Sequence, residues 1–360
     1  MSRAMRDEVP FGNARVGGER PVYIVFEAGP THDGLNTALK LVDVAVTAGA
    51  DAIKFQIIDV EKIIPDPTVM FSYRVLLNKN TGEEETVVES LKTILKRREM
   101  PLDDWRVVIE YCKKVGIEFF STATNFEEIE FLASMNVGSV KICSGDIDCH
   151  YLLRKVAQCP WTVQIDTGNA TIGEVEQAID VLEQAGCSNI IINHCPSGYP
   201  ARLDGINLKI IQTLKQMFPY PIAFSDHTSG ETMDIAAVAL GADMLEKTIT
   251  LDRTCRSPEH IMSLEPDDAV SFVTNIRTVE QALGNSRRII SHQERKNLSA
   301  ARRSIVASHD LKRGTVICST DLNYIRPGTG LSPAYEHLII GKMTSRDILE
   351  GTEICISDIS

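Results

Sequence analysis

Three stretches decide the fold of this chain: Asn189-Ile-Ile-Ile-Asn193-His194-Cys195-Pro196-Ser197-Gly198-Tyr199-Pro200, Ser225-Asp226-His227-Thr228, and Asp243-Met-Leu-Glu-Lys-Thr-Ile-Thr-Leu251. The first two are polar clusters, and each follows a short apolar run with the length and composition of a buried strand. These runs are Ile190 to Ile192 and Ile222 to Phe224. Polar side chains therefore lie where predicted parallel strands end. Because neighbouring parallel strands end at the same edge of a sheet, we expect these side chains to form a functional site together.

The rest of the chain repeats this alternation of strand and helix. Apolar patterns predict strands at Val22 to Glu27, Ala52 to Gln56, Ile117 to Ser121, Val140 to Cys143, Thr162 to Asp166, Asn189 to His194, Pro221 to Ser225 and Asp243 to Lys247. Helical patterns follow them at Leu35 to Ala48, 103–115, 126–136, 149–157, Ile172 to Ala185, Ile206 to Phe218, 231–240 and Asp267 to Leu283. Eight such units over about 265 residues predict an α/β fold, the (β/α)8 TIM barrel, whose typical length is about 250. An open doubly wound sheet is the weaker alternative, because no Gly-x-Gly-x-x-Gly turn follows the first strand.

The pattern predicts four parts: an N-terminal arm at 1–20, the barrel at 21–284, a polar linker at 285–300 and a small β-rich domain at 301–360. Within the barrel, the excursion from Ile58 to about Met100 has an acidic middle and is predicted as a surface insertion with one helix near Leu91. In the last part, residues 310–322 resemble residues 347–359, with Asp, Gly, Thr, Ile, Cys and Asp identical at an offset of 37. Two copies of one short unit predict a pseudo-symmetric domain, too small to be stable without packing on the barrel or on another subunit.

Composition excludes several classes of function. The 360 residues are 43% hydrophobic and 24% charged, as in ordinary globular proteins, and the net charge of −12 argues against a nucleic-acid-binding surface. No apolar run is long enough to span a membrane or to act as a signal peptide, so we expect a cytoplasmic protein. The nine cysteines are scattered without a Cys-x-x-Cys pair, which indicates neither a zinc knuckle nor a disulfide framework.

The candidate site follows from the rule that barrel chemistry lies at the carboxyl ends of the strands. Those ends carry Glu27, Lys54, Gln56, Ser121, Thr122, Lys141, Ser144, Asp166, Thr167, His194, Ser197, Asp226, His227 and Glu246. Each residue alone has an equally good structural interpretation, such as a lysine at the barrel rim, a hydrogen-bonded core histidine or half of an internal ion pair. Together, two ammonium groups beside several hydroxyls suit phosphate and carboxylate, while Glu and His suit metal binding or proton transfer.

At these residues the chain resembles the sialic acid synthase family, which carries a C-terminal antifreeze-like (SAF) domain. The resemblance covers nearly the whole chain after residue 20. Its motifs are Glu27-Ala-Gly-Pro-Thr-His32-Asp-Gly, Gly49-Ala-Asp-Ala-Ile-Lys54-Phe-Gln56, Lys141-Ile-Cys-Ser144-Gly, Asp166-Thr-Gly168, His194-Cys-Pro-Ser-Gly-Tyr-Pro200, Ser225-Asp-His-Thr-Ser-Gly230, Gly241-Ala-Asp-Met-Leu-Glu-Lys247, Pro258-Glu-His-Ile-Met-Ser-Leu264 and Arg326-Pro-Gly-Thr-Gly330.

The resemblance implies a synthase that condenses phosphoenolpyruvate with an acylamino-hexose aldehyde to a nonulosonate and releases phosphate. It implies catalytic roles for Glu27, Lys54, Gln56, Lys141, His194, Glu246 and Glu259, and substrate contacts from Thr122, Ser144, Ser197, Tyr199, Asp226 and Arg326. Phosphoenolpyruvate would lie on the two lysines and the hydroxyls. The acceptor sugar would lie near Gln56, bordered by Glu246 and Glu259. A domain-swapped homodimer is implied, with Arg326 reaching over the barrel of the other subunit.

The family also binds a divalent ion, Mn²⁺ or Mg²⁺, and here the chain departs from its pattern. His227 occupies the position of the first ligand, but Thr248 occupies that of the second histidine, so only a weakly held ion is expected. Pro30-Thr31 replaces the usual Asn-Asn, and Glu259 replaces Asp. Two alternatives therefore stay open: a Schiff-base pyruvate aldolase that uses Lys54 or Lys141, and a non-catalytic homologue that has lost its metal site.

Overall fold

The computed structural model describes residues 7–284 and 286–360, and each of these two ranges forms a compact unit. The strands of the first unit are β1 (Glu8–Phe11), β2 (Ala14–Gly17), β3 (Tyr23–Glu27), β4 (Ala52–Gln56), β5 (Met70–Asn78), β6 (Glu83–Ser90), β7 (Glu118–Thr122), β8 (Ser139–Ile142), β9 (Thr162–Asp166), β10 (Ile190–His194), β11 (Ile222–Asp226) and β12 (Met244–Thr248). Its helices are α1 (Leu35–Ala48), α2 (Val60–Ile63), α3 (Leu91–Lys96), α4 (Leu102–Val115), α5 (Phe126–Ser134), α6 (His150–Val156), α7 (Ile172–Gln184), α8 (Leu203–Ile206), α9 (Ile210–Met217), α10 (Thr232–Ala239) and α11 (Pro266–Leu283). No helix among the described residues combines the length and apolar character needed to cross a membrane.

The predicted barrel is confirmed. Eight parallel strands close in the order β3, β4, β7, β8, β9, β10, β11, β12, and each predicted strand is present within a residue or two of its predicted bounds. Most of these strands are buried along their whole length, because one face of each points into the barrel and the other packs under a helix. All the strands therefore deliver their last residues to the same end of the molecule.

The other end of the barrel is covered by the antiparallel hairpin β1–β2. Phe11 is fully buried there, with its ring centroid 5.1 Å from that of Tyr23 and 5.0 Å from that of Phe120. The Thr162 hydroxyl, at the start of β9, donates a hydrogen bond to the Pro10 carbonyl. Residues 1–20 are predicted from the sequence as an N-terminal arm. Within its described part, this arm instead buries apolar side chains under the barrel.

The predicted insertion forms the long hairpin β5–β6 followed by α3. Two small clusters of buried residues hold it together, one around Tyr73 and Ile94 and the other around Ile58 and Leu95. Near the turn, Lys79 Nζ lies 3.0 Å from an Asp252 oxygen in the loop after β12. The insertion is therefore a folded element that is fixed on the barrel at the carboxyl ends of the strands.

The second unit contains α12 (His292–Ala301), β13 (Ser304–Ala307) and β14 (Leu322–Ile325), of which the two strands pair antiparallel. The helix occupies most of the segment that the sequence analysis called a linker. The predicted internal repeat is confirmed in detail. The Cys318 amide donates to Asp321 at 2.8 Å, and the Cys355 amide donates to Asp358 at 3.0 Å, each within a short 3-10 turn.

Candidate active site

A cavity of about 310 Å³ opens at the carboxyl ends of the barrel strands. Ten of the residues to which the resemblance assigns a role line it: Glu27, Lys54, Gln56, Thr122, Lys141, Ser144, Tyr199, His227, Glu246 and Glu259. Asp166, another candidate at the strand ends, lines it too. The insertion contributes a second, mostly apolar wall to the same cavity, formed by Ile58, Ile63, Phe71, Leu91, Ile94, Leu95 and Arg98. The cavity therefore combines a charged floor with an apolar side.

The floor is an alternating cluster of buried lysines and carboxylates. Lys54 Nζ is ion-paired with Glu27 and lies 2.9 Å from Glu246 Oε1. Lys141 Nζ lies 2.6 Å from the same Glu246 oxygen and 3.0 Å from Asp166 Oδ2. An ammonium group has three N–H donors, so each lysine keeps one donor beyond its two carboxylate partners.

These contacts keep the lysines positively charged. Burial alone would lower the pKa of Lys54, but the Glu246 and Glu27 carboxylates raise it above the ordinary value. Burial acts on Lys141 in the same way, and Asp166 and Glu246 raise the pKa of Lys141 well above its ordinary value. Burial alone would raise the pKa of Glu246, but the two ammonium groups lower it to about 2. Lys54, Lys141 and Glu246 are therefore charged at neutral pH.

The backbone after β3 is shaped to hold Glu27. The Gly29 amide donates to Glu27 Oε1 at 2.6 Å, while Gln56 Nε2 donates to Oε2 at 3.3 Å. A side chain at Gly29 would place its Cβ 2.7 Å from the backbone nitrogen of Gln56 and 2.8 Å from Glu27 Oε1, which is too close for any carbon. Glycine is thus required at this position, and it fixes the Glu27 carboxylate in the cavity.

His227 contributes a neutral imidazole to the cavity wall. Its burial, together with the Lys141 charge, lowers its pKa to about 4. Nδ1 lies 3.2 Å from the Pro196 carbonyl oxygen, which can only accept a hydrogen bond, so the ring proton is on Nδ1. The Tyr199 ring lies 4.7 Å from the His227 ring, centroid to centroid. His227 therefore has the lone pair of Nε2 available as a base or ligand.

Within the barrel, three residues with a role implied by the resemblance do not line the cavity, namely His194, Asp226 and Ser197. Successive residues of a strand point to opposite faces, and His194 and Asp226 are on the outer face. His194 donates from Nε2 to the Ile206 carbonyl of α8 at 2.7 Å. Asp226 accepts from Lys247, which lies 3.2 Å from Asp234 of α10. Both side chains thus face the helices outside the barrel.

The neighbours of those two residues face inward instead. Ser225 donates its hydroxyl to Glu246 Oε1 at 3.1 Å, and Asn193 Nδ2 donates to Asp166 Oδ1 at 2.6 Å. Ser197 is exposed, and its hydroxyl donates to Asn169 at 2.9 Å. The inward residues Ser225 and Asn193 support the charged floor, and strand alternation could have identified them from the sequence.

Glu259 is the carboxyl group of the cavity that is not part of the lysine cluster. Burial raises its pKa to about 7, although the Arg98 charge acts in the opposite direction. Its side chain is only 9% exposed. Near neutral pH this group is therefore present both as the acid and as the carboxylate, so it is able to exchange a proton with a ligand in the cavity.

The donor set does not fit a preorganised divalent-metal site. No group of three or more His, Cys, Asp or Glu side chains within residues 7–284 and 286–360 is placed to hold an ion. Thr248, at the position of the second family ligand, is buried at the end of β12 opposite Glu27 and does not line the cavity. The weakly held ion stays a prediction, and no chemical step is derived through it.

Arg326 belongs to the second unit, where it follows β14 directly. The Ser304 hydroxyl donates to the Pro327 carbonyl at 2.6 Å and accepts from the Gly330 amide at 2.8 Å, which fixes the loop. Arg326 itself is exposed and, among the residues that the structure describes, makes no hydrogen bond or ion pair. It is an available cation on an anchored loop.

A closed barrel with a charged cavity at the carboxyl ends of its strands is the general form of a barrel enzyme. Residues 41–288 match the NeuB family, and residues 302–360 match the SAF domain. The chain belongs to the NeuB family, and it carries a SAF domain after the barrel. The resemblance seen in the motifs is thereby confirmed.

Several relatives are named as acid synthases. The chain is 34% identical over 330 residues to the N,N'-diacetyllegionaminic acid synthase of Campylobacter jejuni, covering 91% of this chain and 97% of that protein. It is 30% identical over 336 residues to the N-acetylneuraminate-9-phosphate synthase of Homo sapiens, covering 91% and 89%. The crystal structure of the sialic acid synthetase from Leptospira borgpetersenii in complex with citrate superposes with a TM-score of 0.70 at 31% identity, covering 81% and 94%.

Proposed function

We propose that this protein is a nonulosonic acid synthase that condenses phosphoenolpyruvate with an acylamino-hexose aldehyde. The observation that carries the proposal is the pair of buried lysines, both kept charged by carboxylates at the barrel mouth. The two ammonium groups contact the same Glu246 oxygen, and each has a remaining donor. They therefore suit the phosphate and the carboxylate of one small molecule. The named relatives in the NeuB family support the same conclusion.

The reaction forms one carbon–carbon bond and releases phosphate. The C3 carbon of phosphoenolpyruvate bonds to the aldehyde carbon, and the aldehyde oxygen takes up a proton to become a hydroxyl. Water adds to C2, and departure of phosphate from that carbon leaves a 2-keto acid. One phosphoenolpyruvate, one aldehyde and one water thus give one nonulosonate and one phosphate.

Different residues of the cavity would bind the substrate and transfer the protons. Lys54, Lys141 and the hydroxyls of Thr122 and Ser144 would hold phosphoenolpyruvate by its two anionic groups. Glu259, whose pKa lies near 7, would give the proton to the aldehyde oxygen. Glu27, fixed by Gly29, would accept the proton of the attacking water.

The Schiff-base aldolase is the weaker alternative for a physical reason. An imine-forming lysine has to be neutral to attack a carbonyl, which enzymes achieve by lowering the lysine pKa. Both cavity lysines have their pKa raised instead. The carboxylates that surround them favour electrostatic binding over nucleophilic attack.

The test is phosphate release from phosphoenolpyruvate, measured with a panel of amino and diamino hexoses. We expect release only when an acylamino acceptor is present, and at least a hundredfold loss in Lys54→Ala. Lys113→Ala, which removes an exposed lysine of α4, serves as the matched control and should match the wild type. Absence of phosphate release with every acceptor and every added divalent metal would refute the proposal.

A shared active site is the second part of the proposal. The family resemblance implies a homodimer in which Arg326 of one subunit contacts the acceptor in the barrel of the other. The exposed, unpaired side chain on an anchored loop is consistent with that role. In this arrangement, the second unit would complete the acceptor side of the cavity.

A further inference from the structure

Arg98 is a cavity residue that the roles described so far leave unused. It follows α3 in the insertion and lines the cavity beside Glu259. Its Nε is buried and has no hydrogen-bond partner, and within the described ranges 7–284 and 286–360 its guanidinium makes no ion pair. A buried donor without a partner is energetically costly, so a ligand that accepts a hydrogen bond from it gains affinity.

The neighbouring cations have carboxylate partners, unlike Arg98. The two cavity lysines each have two carboxylate partners within 3.0 Å. The adjacent Arg97 is bound to Glu89 through both of its terminal nitrogens. Among the described residues that line the cavity, Arg98 is therefore the cation without a carboxylate partner.

The surroundings of Arg98 restrict what that substrate group can be. The same insertion lines the cavity with Phe71, Leu91 and Ile94, which offer apolar surface and no charge. An acylamino group has both parts that such a wall would bind, a carbonyl oxygen for the guanidinium and a methyl group for the apolar side chains. A phosphate has no apolar part to place there.

The charge of the cavity also disfavours an anionic acceptor. The lining has three cations, Lys54, Lys141 and Arg98, against four carboxyl groups, Glu27, Asp166, Glu246 and Glu259. Bound phosphoenolpyruvate adds further negative charge. A second anion would then be placed among like charges in a partly buried space, which is unfavourable.

We propose that Arg98 is a specificity-determining residue that, together with the apolar wall of the insertion, binds the acylamino group of an uncharged acceptor sugar. This deepens the proposed function and rests on it for the identity of the second substrate. The Arg98 contact favours acylamino hexoses over free amino hexoses, while the carboxyl groups of the cavity disfavour the phosphate esters. The proposal assigns recognition of the acylamino group to the insertion rather than to the barrel strands.

The test is calorimetric binding of N-acetylmannosamine, its 6-phosphate and mannosamine to the full chain, without phosphoenolpyruvate. The wild type should bind N-acetylmannosamine at least tenfold more tightly than the other two. Arg98→Met should weaken that binding about tenfold or more, the size expected for one hydrogen bond to a charged group. Lys96→Met, which removes an exposed charge from α3, should bind as the wild type does.

Further readouts separate this role from a structural one. The KM for phosphoenolpyruvate should stay within twofold of the wild type in Arg98→Met, and its melting temperature within about 2 °C. If Arg98→Met does not fold, Arg98→Lys, which keeps the charge but displaces the donor, is expected to show the same loss.

Equal affinity for N-acetylmannosamine in the variant and the wild type would overturn the role of Arg98. Tighter binding of the 6-phosphate by the wild type would overturn the neutral acceptor. Binding is measured without turnover, so an enzyme that binds N-acetylmannosamine through Arg98 but releases no phosphate would refute the proposed function alone.

Discussion

Replacing Glu259 by glutamine tests the proposed proton donor through stability as well as activity. The pKa of Glu259 rises from 4.5 to about 7 in the folded protein because the carboxylate is buried. Between these values the folded state holds a proton that the unfolded state has lost, so stability falls as the pH rises. At about 1.4 kcal/mol for each pKa unit, the total cost above pH 7 is about 3 kcal/mol.

The amide of Glu259→Gln has nearly the shape of the protonated carboxyl group and never ionises. The variant and the wild type should therefore melt at about the same temperature near pH 5. Above pH 7 the variant should melt higher, by up to roughly 10 °C at the 2–4 °C per kcal/mol typical of domains of this size. Scanning fluorimetry across pH 5 to 8.5, with Glu110→Gln as a control at an exposed position, measures this difference.

Glu259→Gln should be more stable above pH 7 but less active than the wild type. If protonated Glu259 gives its proton to the aldehyde oxygen, kcat of the wild type declines above pH 7, and Glu259→Gln loses about a hundredfold or more in kcat together with that pH dependence. A melting-temperature difference that is the same at pH 5 and pH 8.5 would refute the assigned ionisation. If kcat of Glu259→Gln still declines above pH 7, another group is the proton donor.

Three further predictions concern the lysines, the metal and the second unit. Borohydride with pyruvate should leave the mass of the intact protein unchanged, whereas a trapped adduct on Lys54 or Lys141 would favour the aldolase. Turnover should need millimolar rather than micromolar divalent metal. Thr248→His should tighten Mn²⁺ binding to the apoprotein, measured by electron paramagnetic resonance. Unchanged Mn²⁺ binding in this variant would show that His227 is not a ligand. Mixing inactive Arg326→Ala and Lys141→Ala chains should restore part of the activity if two subunits share a site. No recovery despite proven subunit exchange would mean that each subunit completes its own barrel.

The barrel and its charged floor could be predicted because both depend on local sequence patterns. Buried parallel strands are short apolar runs, and their carboxyl ends converge whatever the loops do. These two rules predict from the sequence that Lys54, Lys141 and Glu246 lie in one cavity. His194 and Asp226 instead face the helices outside the barrel, because the convergence of strand ends does not say which face the last side chain takes.

The insertion and the N-terminal hairpin were harder to predict, because their roles depend on distant partners. The sequence does not show that Arg97 has a carboxylate partner while Arg98 lacks one, because Glu89 lies on β6 and meets Arg97 only when α3 folds back along that strand. The hairpin did leave a signal, the pair Gly12-Asn13 between two short runs, which is typical of a two-residue turn. Gly12 adopts the positive φ of 54° that such turns require.

The hairpin under the barrel also constrains the order in which the chain can fold. Its residues contact the starts of strands that are far along the sequence, including Phe120 on β7 and Thr162 on β9, and Gly17 lies against Pro221, just before β11. During synthesis, residues 8–17 therefore leave the ribosome some two hundred residues before their last partner. Until the barrel strands have formed, the apolar side chains of Phe11 and Val16 lack their full set of buried partners, which makes this short segment prone to misfolding and to chaperone binding.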